Sequence, residues 1–226
     1  MIGELVLATG NAGKVREIRR VLDGLGLTLQ SLADLDPVPE PEETGRTFAE
    51  NARAKAVYYA LALGRIVVAE DSGLEIDALD GSPGVYSARF GLPGAPAYPQ
   101  KFELIYRMLR ARVGRVDSAA RFVCSLALAQ PAGQPVGQPS RLAGPGQPPG
   151  QPLRIVGDAQ ILFEAAGAVE GRIVEPPRGT GGFGYDPIFY YPPFDQTFAE
   201  VPPDRKAEVS HRGKAFSQLR RYLAGR

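Results

Sequence analysis

The sequence predicts a mixed α/β fold, and three observations carry that reading. The chain opens as strand, turn and helix: a short apolar run, a small polar turn, then apolar residues recurring at helical spacing. One helix marks both of its ends, with a capping box at Thr47 to Glu50 and a glycine stop at Gly64. Two long strand-like runs and a closing amphipathic helix then occupy the second half. At 226 residues the chain can bury one substantial core, or two small lobes that share a cleft.

Taken in order, Leu5 to Ala8 is a strand that Thr9, Gly10 and Asn11 close. Lys14 to Leu25 follows as a helix with Val15, Ile18, Val21, Leu22 and Leu25 on one face. Leu27 to Leu32 alternates as a second strand, and Asp34 to Gly45, rich in Pro and Glu, is an exposed acidic loop. Between Thr47 and Gly64 lies a helix of about four turns. Ile66 to Ala69 reads as a buried strand and Leu74, Ile76 and Ala78 as another, meeting at an acidic corner of Glu70, Asp71, Ser72 and Gly73. Pro99 to Leu109 is the next helix. Arg121 to Ala129 and Arg154 to Ala165 are the long strands of an antiparallel pair, separated by Pro131 to Pro152, which is nearly all Pro, Gly, Gln and Ala and reads as a flexible insert. Asp186 to Tyr191 is a late strand, and Lys214 to Leu223 a helix with Phe216, Leu219 and Leu223 on one face.

Composition removes several function classes. Lys and Arg total 26 against 25 Asp and Glu, a net charge of +1, so no global field draws the chain to nucleic acid or anionic lipid. Any phosphate site must be built locally. One cysteine, Cys124, allows no internal disulfide, and one histidine, His211, cannot furnish a histidine-rich zinc cage. A metal would be held by carboxylates, which favours magnesium or manganese. The start, MIGELVLATG, is too quickly interrupted for a signal peptide, and no run approaches the ~18 apolar residues of a membrane span, so a cytoplasmic protein is expected.

Five stretches carry candidate chemistry. Thr9, Gly10, Asn11, Ala12, Gly13 and Lys14 join a strand to a helix, so their amides can face an anion at the helix N-terminus while Lys14 adds charge; an ordinary turn with a solvated lysine is the equal alternative. This is no Walker A loop, because the glycine spacing is short and Val15 follows the lysine. Glu70 and Asp71 end an apolar run and alternate in direction, which favours one of them in a cleft, with a polar β-turn over Glu70 to Gly73 as the equal alternative; Glu42 and Glu43 are candidate second ligands, and solvated surface glutamates are their plainer reading. Lys55 sits one turn after Asn51 on the same helix face, and a surface lysine is its plainer reading. Gly179 to Asp186 packs four glycines around Phe183, which suits close approach to a planar or phosphorylated ligand; a glycine hinge with two core aromatics is the alternative. Ser210 to Lys214, with Lys206, is the main basic cluster, and a solvated helix start is its plainer reading.

Together the segments LATGNAGKVREI, FAENARAKA, AEDSGLEIDALDGSPGVYSARF, GTGGFGYDPIF and SHRGKAF resemble, in family order, the inosine triphosphate pyrophosphatase family, which hydrolyses deaminated purine nucleoside triphosphates. The resemblance runs from residue 5 to 216; the insert at 131–152 matches nothing in the pattern. It implies one two-lobed domain over residues 1–226, an elongated α/β fold with a long central mixed sheet, flanking helices and a substrate cleft, and a homodimer. It implies further that Thr9, Gly10, Asn11, Ala12, Gly13 and Lys14 cradle the triphosphate with Lys55, and that Glu42 and Asp71 hold Mg²⁺, with Mn²⁺ as a substitute and Glu70 able to share the work. Asp71 would also accept the proton of the attacking water, beside Ser72 on the substrate. Phe183, Gly184, Tyr185, Asp186, Lys206, His211 and Arg212 would form the base pocket.

The expected partner is therefore a small nucleotide, neither nucleic acid nor membrane. The expected reaction converts ITP, dITP or XTP into monophosphate and pyrophosphate. Donors aimed at the six position favour the oxygen of hypoxanthine or xanthine over the amino group of adenine. Two alternatives stand beside this reading: a non-catalytic nucleotide sensor on the same fold, and a pyrophosphatase clearing other modified nucleotides. Against the sensor, Glu42, Glu70 and Asp71 are all present, and clustered carboxylates repel a triphosphate unless a metal intervenes.

Overall fold

The computed structural model describes residues 2–91, 97–133 and 158–225. Among them the first elements are β1 (Glu4–Leu7), α1 (Ala12–Leu22), β2 (Thr28–Ser31), α2 (Phe48–Leu63) and β3 (Val67–Ile76). There follow α3 (Tyr98–Val113), β4 (Ser118–Pro131), β5 (Ala159–Ile173), β6 (Phe189–Tyr191), β7 (Gln196–Thr197), α4 (Pro203–Val209) and α5 (His211–Ala224). The strands form one sheet in the order β2-β1-β3-β4-β5-β6-β7. It is mixed: β1 pairs in parallel with β2 and β3, whereas β5, β6 and β7 pair antiparallel. Parallel neighbours need crossover connections, and α1 and α2 supply them.

Two compact units divide the chain, Met1–Asp71 with Ser125–Ala166 and Ala215–Arg226 in the first, Ser72–Cys124 with Gly167–Lys214 in the second. In the first, Ala56 and Ala60 of α2 pack with Val6, Val67, Ala69, Ala127 and Ala129. Small residues on both surfaces let the helix lie close to the sheet, and that closeness sets the height of Asn51 and Lys55 above β3. The second unit has an aromatic core. Phe122 lies 4.4 Å from Phe189 and 4.8 Å from the His211 ring, measured between centroids, and the His211 ring is stacked on it.

The capping box of α2 forms as expected: the Glu50 amide donates to Thr47 Oγ1 at 3.1 Å and Glu50 Oε2 accepts from the Thr47 amide at 3.2 Å, while Gly64 ends the helix in the left-handed region. Thr47→Ala is expected to lower stability by about 1 kcal/mol, the usual cost of losing a hydroxyl cap, as read from denaturant unfolding.

Four expectations change. The acidic corner is no turn: β3 runs unbroken through Glu70, Asp71, Ser72 and Gly73. An Asp-Ser-Gly turn closes when the carboxylate bonds its own backbone, but here Asp71 is bonded to side chains of α2 and the chain stays extended. The second long strand, expected over Arg154 to Ala165, is described from Ala159 and continues to Ile173, its alternate residues Glu164, Glu170 and Arg172 exposed and ion-paired. The late strand begins only at Phe189, because Asp186–Ile188 forms a 3-10 turn around Pro187, which has no amide to offer a ladder. The last helix starts at His211 rather than Lys214, and α4 precedes it. Of the expected insert at Pro131 to Pro152, residues 134–152 lie outside the described residues, as do 154–157 of the expected strand.

Candidate active site

In the first unit the register of β1 on β3, Leu7 opposite Val68, brings the turn after β1 level with Glu70. Asn11 caps α1, its Oδ1 accepting from the amides of Gly13 at 2.9 Å and Lys14 at 3.2 Å, and the Asn11 amide donates to Thr9 Oγ1 at 3.1 Å. The loop from Thr9 to Lys14 is thus partly satisfied from within, and an anion there would compete with the Asn11 carboxamide for the Gly13 and Lys14 amides. Thr9 is half-buried, Gly10, Asn11 and Ala12 are exposed, and Gly13 is buried. Lys14 is not a solvated lysine: its Nζ lies 2.5 Å from Glu70 Oε1.

Asp71, next along β3, takes different partners. Its Oδ2 accepts from Asn51 Nδ2 at 2.9 Å, and its Oδ1 lies 3.4 Å from Lys55 Nζ. Lys55 also donates to Glu43 Oε1 at 2.8 Å. Adjacent strand residues alternate in direction, so Glu70 meets α1 while Asp71 meets α2; both are buried, Asp71 at 6% exposure. Of the acidic loop pair, Glu43 rather than Glu42 reaches this corner; Glu42 is exposed.

The electrostatics of the corner have one sense. Burial lifts the Asp71 carboxyl above its ordinary value, and Glu43 and Glu70 push the same way against Lys55 and the Asn51 bond. Burial pulls the Lys55 ammonium down, yet Asp71, Glu43 and Glu70 outweigh it and hold the group above its ordinary value. Both shifts run toward the proton-bound form, for Asp71 chiefly through burial and for Lys55 through the carboxylates around it, so the corner favours added positive charge. A hard divalent cation fits that demand and the oxygen donors of Asp71 and Glu43, which share Lys55. Among the described residues there is no cage of three or more His, Cys, Asp or Glu.

The second unit assembles the other group. Asp186 Oδ2 accepts from Lys206 Nζ at 2.6 Å and from the Phe183 amide at 2.7 Å. Lys206 stands 5.2 Å and the Arg212 guanidinium 5.5 Å from the Phe183 ring centroid, so two cations lie against one half-buried aromatic. Arg212 Nη2 donates to Ser72 Oγ at 2.8 Å. Tyr185 is buried and donates to the Ser87 carbonyl at 2.9 Å, a wall residue whose phenol burial pushes far up. Lys206, His211 and Arg212, at 4%, 5% and 2% exposure, are no solvated helix start. Ser210 Oγ accepts from the Gly213 amide, and a side chain at Gly213 would overlap the Ala207 carbonyl, so α4 and α5 meet closely enough to bury these cations. Cys124 is fully buried in β4, in keeping with a core role.

Two residues that the motif reading passed over belong here. Tyr98, at the start of α3, packs on Gly184 and sits edge-on to Tyr185 at 5.2 Å. Asn51 was visible only as the residue one turn before Lys55. Gly182 carries a further constraint, since it has φ +68° and a Cβ there would overlap Asp186 Oδ2. Gly182→Ala is expected to destabilise the protein by more than about 1 kcal/mol and to lower kcat/KM for ITP, read from a melting curve and initial rates.

Known proteins resemble this chain along nearly its whole length. A protein from Thermus thermophilus named dITP/XTP pyrophosphatase is 44% identical over 216 residues, 96% of this chain and 89% of that protein. One of the same name from Gloeobacter violaceus is 42% identical over 219 residues, 97% and 93% of the two chains. The solved structure of a HAM1 protein from Coxiella burnetii superposes with a TM-score of 0.78 at 34% identity, covering 100% of both chains. The sequence pattern of the Ham1 family matches residues 5–144 and 153–222, leaving 145–152 outside the match, and on this coverage and identity the chain belongs to the Ham1 family.

Proposed function

We propose that the protein is a nucleoside triphosphate pyrophosphatase that hydrolyses deaminated purine nucleotides, ITP, dITP and XTP, to the monophosphate and pyrophosphate. The observation that carries this is the buried Asp71, its two oxygens held separately by Asn51 and Lys55. Relatives named dITP/XTP pyrophosphatase at 42–44% identity supply the substrate class.

In this reading Asp71 accepts a proton from the water that attacks the α-phosphorus, at the oxygen not taken by Asn51. Lys14 and Lys55 exchange their carboxylate partners for phosphate oxygens, and the loop of Thr9, Gly10, Asn11, Ala12 and Gly13 holds the chain of phosphates at the start of α1, displacing the Asn11 carboxamide from the Gly13 and Lys14 amides. Mg²⁺, with Mn²⁺ as a substitute, would be held by Asp71 and a glutamate of the acidic loop, Glu42 or Glu43, with Glu70 beside them; when bound it neutralises phosphate charge. Phe183 stacks on the base. Lys206, His211 and Arg212 face its acceptors, Asp186 holds Lys206 in place, and Ser72, Gly184 and Tyr185 shape the wall. A six-amino group would set a donor against these donors, which disfavours ATP.

A homodimer working in the cytoplasm completes the proposal; among the described residues no helix is long and apolar enough to cross a membrane. The test is pyrophosphate release from ITP, XTP, GTP and ATP, with and without Mg²⁺. Release from ITP and XTP well above ATP, and only with the cation, is expected. Orthophosphate in place of pyrophosphate, or a preference for modified pyrimidine triphosphates, would overturn the assignment.

A further inference from the structure

We propose that Asn51 is a positioning residue for the reaction, dedicating one oxygen of Asp71 to the protein and presenting the other to water while it anchors the acidic loop to the same carboxylate. The inference rests on Asp71 being the proton acceptor.

The direction of the Asn51 carboxamide is fixed by its surroundings. The backbone amide of Gly45 can only donate, so the atom 2.8 Å from it must be the carboxamide oxygen. The nitrogen is then the end that faces Asp71 Oδ2, at 2.9 Å. At 1% exposure the side chain has no water to exchange with. Asp71 Oδ2 is therefore held as an acceptor, and Oδ1, on the Lys55 side, is the oxygen offered to the reaction. A methyl group at Gly45 would overlap Asn51 Oδ1, so the loop approaches as closely as it does only through a glycine.

The same two residues of α2 grip the loop twice. Asn51 holds Gly45 and Lys55 holds Glu43, and both hold Asp71. Loop, helix and strand thus form a closed ring of hydrogen bonds around one carboxylate. A displacement of the loop and a misalignment of Asp71 become the same event, and a misplacement of ~1 Å at a reacting group can cost about 100-fold in rate.

Two substitutions separate the two bonds. Asn51→Asp retains an acceptor for the Gly45 amide but replaces the amide donor with a second acid whose like charge repels Asp71, whereas Asn51→Leu loses both bonds. Both are expected to lower kcat for ITP by about 100-fold with KM within about three-fold, the pattern of a group that acts on the transition state rather than on binding. Trypsin supplies a readout independent of activity: the Leu variant should become cleavable after the exposed Arg46, and the Asp variant should stay resistant. A merely structural asparagine would lower the melting temperature and leave kcat per folded molecule unchanged. If Asn51→Asp does not fold, Gly45→Ala displaces the carboxamide from the loop side and should give the same loss in kcat. Wild-type kcat in either folded variant overturns the proposal, and equal trypsin resistance of the Leu variant overturns the loop anchor. With Asp71→Asn assayed alongside, an active Asp71 variant refutes the proton-acceptor assignment, whereas an inactive one beside a fully active Asn51→Asp refutes only the role of Asn51.

Discussion

Asp71→Asn is expected to reduce pyrophosphate release from ITP by about 10²–10⁴-fold, the usual contribution of a positioned general base. An amide keeps the shape of the carboxylate and can still accept from Asn51 Nδ2, so the protein should fold. Its melting temperature should not drop: burial already lifts the Asp71 carboxyl, meaning that the charged form is costly in the folded state, and a neutral isostere removes that cost. Substrate binding, measured with a non-hydrolysable ITP analogue, should survive. Wild-type rates in the folded variant would sink the assignment of Asp71.

The second large effect is expected at Arg212. Its guanidinium bonds Ser72 Oγ and lies against the Phe183 ring, so it is held in one position, and in the proposed base pocket its donors would meet the six-oxygen of hypoxanthine. Arg212→Ala should lower the ratio of kcat/KM for ITP over ATP by about 5–150-fold, corresponding to hydrogen bonds of about 1–3 kcal/mol to a charged or buried partner. Arg212→Lys retains the charge but loses the planar fork, and should fall between the two. His211→Ala should lower the same ratio, but its ring also stacks on Phe122, so the melting temperature will fall with it. A melting curve decides between base reading and anchoring of α5: an unchanged ratio with a lowered melting point in the Arg212 variants would refute base reading.

Much of this was legible in the sequence because it is local. The capping box at Thr47, the glycine stop at Gly64 and the strand-turn-helix opening depend on residues within a turn or two of one another, and each formed as read. What depended on distant neighbours was not legible. The Glu70 to Gly73 stretch has the composition of a turn, and only the arrival of Lys14, Lys55 and Asn51 from two helices keeps it extended. Glu42 and Glu43 are chemically identical neighbours in a loop without periodicity, so nothing local says which one reaches Lys55. Lys206, His211 and Arg212 look like a solvated helix start because charge in sequence reads as surface; their burial follows from Asp186, Phe183 and the glycine that lets α4 and α5 meet. The i, i+4 spacing of Asn51 and Lys55 was the one local signal for Asn51, and it became informative only with Asp71 beside both.

The unbroken course of β3 also sets where this protein can tolerate a change in length. Because successive residues of a strand face opposite ways, deleting one residue between Val67 and Glu70 would turn Glu70 toward α2 and Asp71 toward α1, exchanging their partners without altering any amino acid of the site. A glutamate, one methylene longer, would then stand where the shorter acid must leave one oxygen for water. The segment at 145–152, by contrast, is extra length that the family pattern lacks, added where the candidate site has no residue. Single-residue insertions or deletions across the gene should therefore divide sharply, inactivating in β3 even when the product folds, and tolerated within 145–152.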